Sequence, residues 1–235
     1  MNFPERAMTF FNKIRFELWG IVGGAIVLAG MFLSQIGFTG LADEPYSMLN
    51  HFVSELGISV AEGAWLFNSS LIVGGAILAV FLLGTGFYGG NRAAKIGAIV
   101  GVYAAISTCF VGVFTADFLA GHSVAAMGFF FGGMIAVLVF TISIGIQKEG
   151  QVKIPKKIVY PGLVVIGIFA AFLIYIFSIP RGAFSEGENP LIPLITERPA
   201  IWAMPILEWA AILGVVAWMV VVAAIILKNK PRAAN

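Results

Sequence analysis

A small set of side chains in this sequence can hold a metal ion or move a proton. It comprises two imidazoles and three carboxylates, and each follows or interrupts a long apolar run. Such groups bind zinc and act as general acids or bases in catalysis. A metal site or acid–base chemistry is therefore one interpretation of these residues, which are His51, Glu55, Asp117, His122 and Glu208.

No catalytic motif accompanies these residues. The sequence contains neither an HExxH zinc motif nor a GxSxG nucleophile motif. Ser54 would be an active nucleophile only with a histidine within hydrogen-bonding reach. Cys109 is the single cysteine, so the chain offers neither an internal disulfide nor a CxxC metal knuckle. The pattern indicates no cofactor and no specific metal.

The composition indicates the environment in which these residues lie. Charged residues make up 11% of the chain and apolar residues 60%, whereas a soluble domain is about 25% charged. So few charges cannot cover a soluble surface, and a net charge of +2 is no basic patch for nucleic acid. The chain is therefore expected in a lipid bilayer, with membrane lipids as partners and with neither nucleic acid nor nucleotide.

Six apolar runs have the length of about 20 residues that crosses a bilayer as a helix. Each helix satisfies its own backbone hydrogen bonds, as lipid requires. We expect an all-α bundle forming a single domain over residues 1–235, with Pro205 tilting or kinking the last span. The predicted spans are 18–38, 65–88, 96–118, 123–146, 158–180 and 201–227.

The basic residues predict the orientation of the bundle. Twelve of the 14 lysines and arginines lie before the first span, after the last one or in the two loops on the same side. The positive-inside rule then places both termini in the cytoplasm of a multi-pass cell-membrane protein. Residues 4–17 are expected to form an amphipathic or continuous helical lead-in. The oligomeric state is left open.

The first outer loop contains an amphipathic segment. Pro45 can begin a helix and Gly57 can end it, which predicts a short helix over 46–57 on the outer face. On that helix His51 and Glu55 would share one side, with Asn50 and Ser54 beside them. The alternative is an interfacial helix whose polar groups satisfy only their own backbone.

The turn between the third and fourth spans pairs an acid with an imidazole. Asp117 ends one helix, where the dipole disfavours a negative charge, and His122 begins the next. We expect His122 to be the partner of Asp117. The pair is then either a simple hydrogen-bonded turn or a carboxylate-oriented histidine that serves as a base or a ligand.

Glu208 lies within the sixth span, where an unpaired carboxylate costs at least a few kcal/mol. Asn68 lies at a similar depth in the second span. Glu208 therefore belongs either to a functional polar pocket or to a structural site where it is protonated or hydrogen-bonded.

The last outer loop carries two arginines. Arg181 and Arg198 could hold an anionic headgroup, but weak surface ion pairs with Glu186, Glu188 and Glu197 are the favoured interpretation.

The stretch Tyr46-Ser-Met-Leu-Asn-His-Phe-Val-Ser-Glu-Leu-Gly57 resembles a signature of prokaryotic six-span proteins classed as a domain of unknown function, family nine-nine-eight. That family has a Ser-Glu/Asp-Leu-Gly motif after its first span, and an acidic residue followed by a histidine after its third. Asp117 and His122 resemble the second motif, although Thr115 stands where a proline is common. The span layout is more distantly similar to the Frag1/DRAM/Sfk1 membrane proteins, some of which are linked to lipid remodelling or asymmetry.

Three functions compete. The first is an outer-leaflet pocket that binds or handles a lipid headgroup or small amphiphile. The second is a membrane-embedded, metal-dependent or metal-free hydrolase or transferase acting on lipid. The third, a proton- or ion-coupled transporter using Glu208, lacks a charged path through the inner halves of the spans. The candidate ligand-binding residues are Asn50, His51, Ser54, Glu55, Asn68, Asp117, His122 and Glu208.

Overall fold

Six helices in the computed structural model are long and apolar enough to cross a membrane. The structure describes residues 3–40, 44–150, 152–178 and 198–230. The predicted all-α architecture with six spans is therefore confirmed, and the protein is a multi-pass membrane protein. The spans are α2 (Phe16–Leu33), α3 (Ala64–Gly89), α4 (Arg92–Val113), α5 (Leu119–Gly145), α6 (Val159–Ser178) and α7 (Ala203–Asn229).

A separate amphipathic helix, α1 (Phe3–Lys13), precedes the first span. Phe11 is buried and stacks on Phe87 of α3, with ring centres 5.5 Å apart. Phe10 is exposed. Arg15 adopts a left-handed conformation with φ 52°, which a non-glycine residue rarely adopts. The predicted lead-in is thus amphipathic, but this break stops it from being continuous with α2.

The spans form a closed ring. Each packs against its neighbours in the sequence, and α7 closes the ring by packing against α2. Close helix approach depends on small residues, as is usual in membrane bundles. Gly30 of α2 faces Ser70 of α3 so closely that a methyl group on Gly30 would overlap the serine side chain. The ring surrounds an interior bordered by the spans.

The helix ends differ from the predicted spans, most clearly at the end of the first span and in α4, which covers Arg92–Val113 where 96–118 was predicted. The first span stops at Leu33 rather than at residue 38, because the backbone then continues in turns, with the N–H of Ile36 bonded to the carbonyl of Leu33 and that of Phe38 to the carbonyl of Gln35, and Gly37 has a positive φ. In α7, Pro205 lies in the first turn, where no intrahelical hydrogen bond is lost, and the helix continues through it.

A buried ion pair joins α2 to the end of α7. Glu17 is buried in the first turn of α2, and its Oε2 lies 2.8 Å from Nζ of Lys230. The same ammonium lies 4.7 Å from the ring centre of Phe16. We name this end of the bundle the inner end and the opposite end the outer end, following the predicted orientation.

The predicted helix over 46–57 is wrong in extent. Only Val53–Gly57 is helical, as a short 3₁₀ helix, and Phe52 before it is extended. Side chains take the place of helical hydrogen bonds, since the backbone N–H of Phe52 donates to Oε1 of Glu55 at 2.7 Å and that of Ser47 donates to Nδ1 of His51 at 3.2 Å. Such local bonds compete with helix formation.

Candidate functional site

A buried arginine organises the outer end of the bundle. Arg198 forms a bidentate pair with Glu55, with both N–O distances at 3.0 Å. It also lies 3.1 Å from Oε1 of Glu44 and donates to the carbonyl of Asn50 at 3.1 Å. The side chains of Arg198 and Glu55 are only 7% and 3% exposed. This set, with His51, is called the Arg198 cluster.

The Arg198 cluster corrects the prediction for the last outer loop. The ion pairs of Arg198 with Glu44 and Glu55 are buried, and both glutamates lie in the first outer loop. The expectation that Arg198 forms weak surface ion pairs is therefore wrong. Arg181, Glu186, Glu188 and Glu197 lie outside the described residues. Sequence reasoning named Arg198 but missed its buried pairing, because its partner Glu55 is 143 positions away and Glu44 is still farther.

His51 completes the cluster as a neutral imidazole. Its Nδ1 receives the backbone N–H of Ser47, so Nε2 carries the hydrogen and donates to Oε1 of Glu44 at 3.2 Å. This tautomer is assigned from the hydrogen-bond network. Oδ1 of Asn50 is placed 2.8 Å from the same Nδ1, so this tautomer requires the Asn50 amide to be flipped, with its NH₂ group facing the ring nitrogen. Burial lowers the pKa of His51, against the opposing effect of Glu55.

Two aromatic side chains tie the first outer loop to α7. The indole N–H of Trp209 donates to the hydroxyl of Tyr46 at 3.0 Å, which donates to the carbonyl of Phe52 at 2.9 Å. Burial raises the pKa of Tyr46 far above its ordinary value, and the negative charge of Glu208 adds to the effect. Tyr46 therefore stays protonated and keeps its role as a donor.

Glu208 binds the 3₁₀ helix directly. Its Oε2 accepts the backbone N–H of Val53 at 2.7 Å, and the side chain is 7% exposed. Six residues earlier, just before α7 begins, the backbone N–H of Trp202 donates to the carbonyl of Leu49 at 2.8 Å. The beginning of α7 thus holds the 3₁₀ helix against the bundle.

A narrow cavity of about 100 Å³ lies inside the ring. Residues of α2, α3, α4, α5 and α7 line it, and nearly all of them are apolar. Besides the indole of Trp218, four of the described residues that border it have a polar side chain: Thr108, whose hydroxyl bonds to the carbonyl of Ala104 in its own helix, together with Ser54, His122 and Glu208. The cavity therefore has an apolar body and a polar outer end.

His122 does not pair with Asp117 as predicted. Its Nδ1 donates to the carbonyl of Phe114 at 2.9 Å. The carboxylate of Asp117 instead accepts the backbone N–H of Ser59 at 2.8 Å and the hydroxyl of Thr115 at 2.9 Å. The carbonyl that closes α4 satisfies His122, while Asp117 fastens the first outer loop to the turn between α4 and α5.

The eight predicted ligand-binding residues fall into three places. Ser54, His122 and Glu208 line the cavity, whereas Asn50, His51 and Glu55 belong to the Arg198 cluster. The other two fasten the first outer loop, since Asn68 donates to the carbonyl of Gly57 at 3.0 Å and Asp117 binds Ser59. The 3₁₀ helix separates the first two groups.

The arrangement limits the chemistry that these residues can perform. Among the described residues, no three His, Cys, Asp or Glu side chains are grouped to hold a metal ion, and the guanidinium of Arg198 already supplies the cation between Glu44 and Glu55. No hydrogen bond within the described ranges joins Ser54 to a histidine, so the condition for an activated serine is not met there.

The comparison with protein families agrees with this picture. Residues 22–225 match the family described as protein of unknown function (DUF998). The match includes all of α3 to α6, the first outer loop with its 3₁₀ helix, and most of α2 and α7. No match was found among curated proteins, and none was found among solved structures. The resemblance seen in the sequence is confirmed, and the chain belongs to the DUF998 family.

Proposed function

We propose that the protein binds a single-chain amphiphile inside the helical ring, with the head group at the polar outer end. The observation that carries the proposal is the cavity, which is apolar along its body and bordered by Ser54, His122 and Glu208. Ligand sites of this kind combine a mostly apolar wall with a few convergent polar groups.

The dimensions of the cavity favour one chain over two. Its lining on α3 runs from Phe67 to Leu82, which is about 22 Å at roughly 1.5 Å per residue. A volume of about 100 Å³ along that length leaves a slot smaller than the cavity of roughly 150 Å³ that holds one benzene, so the ring must widen to admit one chain and would have to widen much more for a two-chain lipid. Met31 and Met219 line the slot, and their flexible side chains can adapt to a linear chain.

The first outer loop forms the roof of this site. Val53 and Ser54 border the cavity, and Val53 is bonded to Glu208. The Arg198 cluster holds the other side of the same 3₁₀ helix through Glu55. A ligand that enters from the outer face must displace this roof, so binding and release depend on the contacts that hold it.

Filling the cavity tests the proposal. Ala136 lines the cavity and is buried, whereas Leu138 on the same helix is exposed on the ring's surface. We expect native mass spectrometry of gently purified wild-type protein to detect a single-chain amphiphile. Ala136→Phe should lose this adduct and Leu138→Phe should retain it. Equal retention in Ala136→Phe, with unchanged size-exclusion behaviour, would contradict binding in the cavity.

A further inference from the structure

With Glu208 ionised and His122 neutral, the polar atoms of these two side chains that remain open at the head of the cavity are hydrogen-bond acceptors. Glu208 uses Oε2 for the N–H of Val53, and within the described ranges Oε1 has no hydrogen-bond partner. His122 uses Nδ1 as a donor to the carbonyl of Phe114, which leaves Nε2 as an acceptor in the neutral ring. Both side chains border the cavity and are more than nine-tenths buried, at 7% and 8% exposure.

Within the part of the chain that the structure describes, no positive charge offsets these acceptors. Neither lysine nor arginine is among the described residues that border the cavity, and Arg198 is engaged by Glu44, Glu55 and the carbonyl of Asn50. A carboxylate or phosphate placed at the head would therefore face both of these acceptors, with the hydroxyl of Ser54 as its one donor. Buried polar groups without a complementary partner are costly, and such a mismatch is a strong basis for rejecting a ligand.

We propose that the site selects a linear amphiphile whose head donates hydrogen bonds, a primary hydroxyl or a primary ammonium, and that it rejects carboxylate and phosphate heads. This inference rests on the proposed function. The head donates to Oε1 of Glu208 and to Nε2 of His122. The hydroxyl of Ser54, which can donate or accept, supplies the remaining bond to a hydroxyl oxygen.

Competition within a matched ligand series tests the selectivity. The probe is a long-chain primary alcohol that carries a photoreactive diazirine on its chain, and the labelled peptides are mapped by mass spectrometry. The competitors are the unlabelled alcohol, amine and carboxylic acid of the same chain length at neutral pH. We expect the alcohol and the amine to compete at least about tenfold better than the acid, a factor that corresponds to about 1.4 kcal/mol.

The outcomes separate the two proposals. Labelling of cavity-lining peptides that the acid suppresses as well as the alcohol does would overturn the head-group selectivity and leave the proposed function standing. If the alcohol probe does not label cavity-lining peptides, and none of the three competitors reduces its labelling, then both the head-group selectivity and the proposed function are overturned.

Two variants assign the selectivity to the named atoms. In Glu208→Gln the amide oxygen can accept from Val53, which turns the NH₂ donor towards the cavity. In His122→Asn the side-chain amide can still donate to Phe114, but the acceptor Nε2 is removed. Each variant should weaken competition by the amine about tenfold, and Glu208→Gln should improve competition by the acid.

Ser69→Ala is the matched control, since Ser69 lies on the exposed side of α3 near its outer end and is not among the residues that border the cavity. It should keep the wild-type order of competitors. Size-exclusion profiles identify any variant that fails to fold. If one variant fails, the competition result of the other variant decides whether the selectivity belongs to these atoms. Folded Glu208→Gln or His122→Asn with unchanged selectivity would refute the assignment to that atom.

Discussion

At the scale of single residues, the outer end depends on one buried arginine. Arg198 is the cation that permits Glu44 and Glu55 to lie together away from water. A buried pair adds little net stability compared with apolar groups of the same size, but removal of one partner leaves an uncompensated buried charge. The planar guanidinium also fits the two oxygens of Glu55, which a lysine ammonium cannot do in the same way.

Arg198→Ala should therefore destabilise the protein by about 3–5 kcal/mol. Arg198→Lys should retain part of the stability because it keeps the charge but loses the bidentate geometry. The measurement is thermal unfolding in detergent micelles. Arg92→Ala removes an exposed arginine at the beginning of α4 and should have little effect. A melting temperature of Arg198→Ala equal to that of Arg92→Ala would refute the role of the cluster.

His51 should make the protein sensitive to acid. Burial lowers the pKa of folded His51, whereas the unfolded chain has a pKa of about 6.5. The unfolded state therefore binds more protons below that value, and stability is lost as the pH falls through about 6.5. Above it, the contribution of His51 is fully present. Glu44, Glu55 and Arg198 are the charged groups that face the ring.

Melting temperatures measured from about pH 7.5 down to about pH 5.5 test this expectation, since the range brackets the unfolded pKa. His51→Gln removes the titrating group and should flatten the dependence over this range. If wild type and His51→Gln lose stability in parallel, then His51 is not the group responsible.

At the scale of elements, the 3₁₀ helix Val53–Gly57 lies between the polar outer end of the cavity and the Arg198 cluster. Its residues contact both of them, since Val53 and Ser54 border the cavity whereas Glu55 binds Arg198. The tighter winding of a 3₁₀ helix and the extended residue Phe52 direct neighbouring side chains to opposite sides. A regular helix over 46–57 would have placed His51 and Glu55 on one face, as the spacing suggested.

Contact between α2 and α3 should tolerate no side chain at Gly30. A methyl group there would overlap the Ser70 side chain, so Gly30→Ala should destabilise the protein by about 1–3 kcal/mol. Gly167→Ala on α6 is the matched control, because nothing lies within 4 Å of its added methyl group. Unfolding of both variants in micelles measures the difference, and equal stability would show that α2 and α3 can separate without cost.

At the scale of the whole molecule, the closed ring explains how a chain with so few polar residues can contain a polar site. Each span contacts two neighbours, which leaves an interior that the helices border without filling it. The first outer loop and the beginning of α7 cover this interior at one end. The proposed ligand site and the contacts that hold its roof therefore lie together at the outer end of the bundle.

The orientation predicted from the basic residues gives a direct test. In a Cys109→Ser background, Val60→Cys places an exposed thiol on the first outer loop, and Glu149→Cys places one on the loop after α5. A membrane-impermeant maleimide applied to intact cells should label Val60→Cys alone. Labelling of Glu149→Cys alone would reverse the orientation. Permeabilised cells control for accessibility of both sites.

The sequence alone determined the spans and the polar residues available to the site. Hydrophobic length is a local property, since a run of about 20 apolar residues must satisfy its backbone within itself in lipid. For this reason all six spans were predicted, with errors confined to their ends. The free-energy cost of the Glu208 carboxylate also followed from its position inside an apolar run.

Only the tertiary structure decided which polar residues meet. Val53 and Glu208 are 155 positions apart, and no periodicity relates them. The path of the first outer loop depends on side chains that replace helical hydrogen bonds, as at His51 and Glu55. The pairing of Arg198 depends on closure of the ring between α7 and α2. Contacts of this kind follow from packing in three dimensions, and for this reason Asp117 and His122, neighbours in the sequence, have different partners.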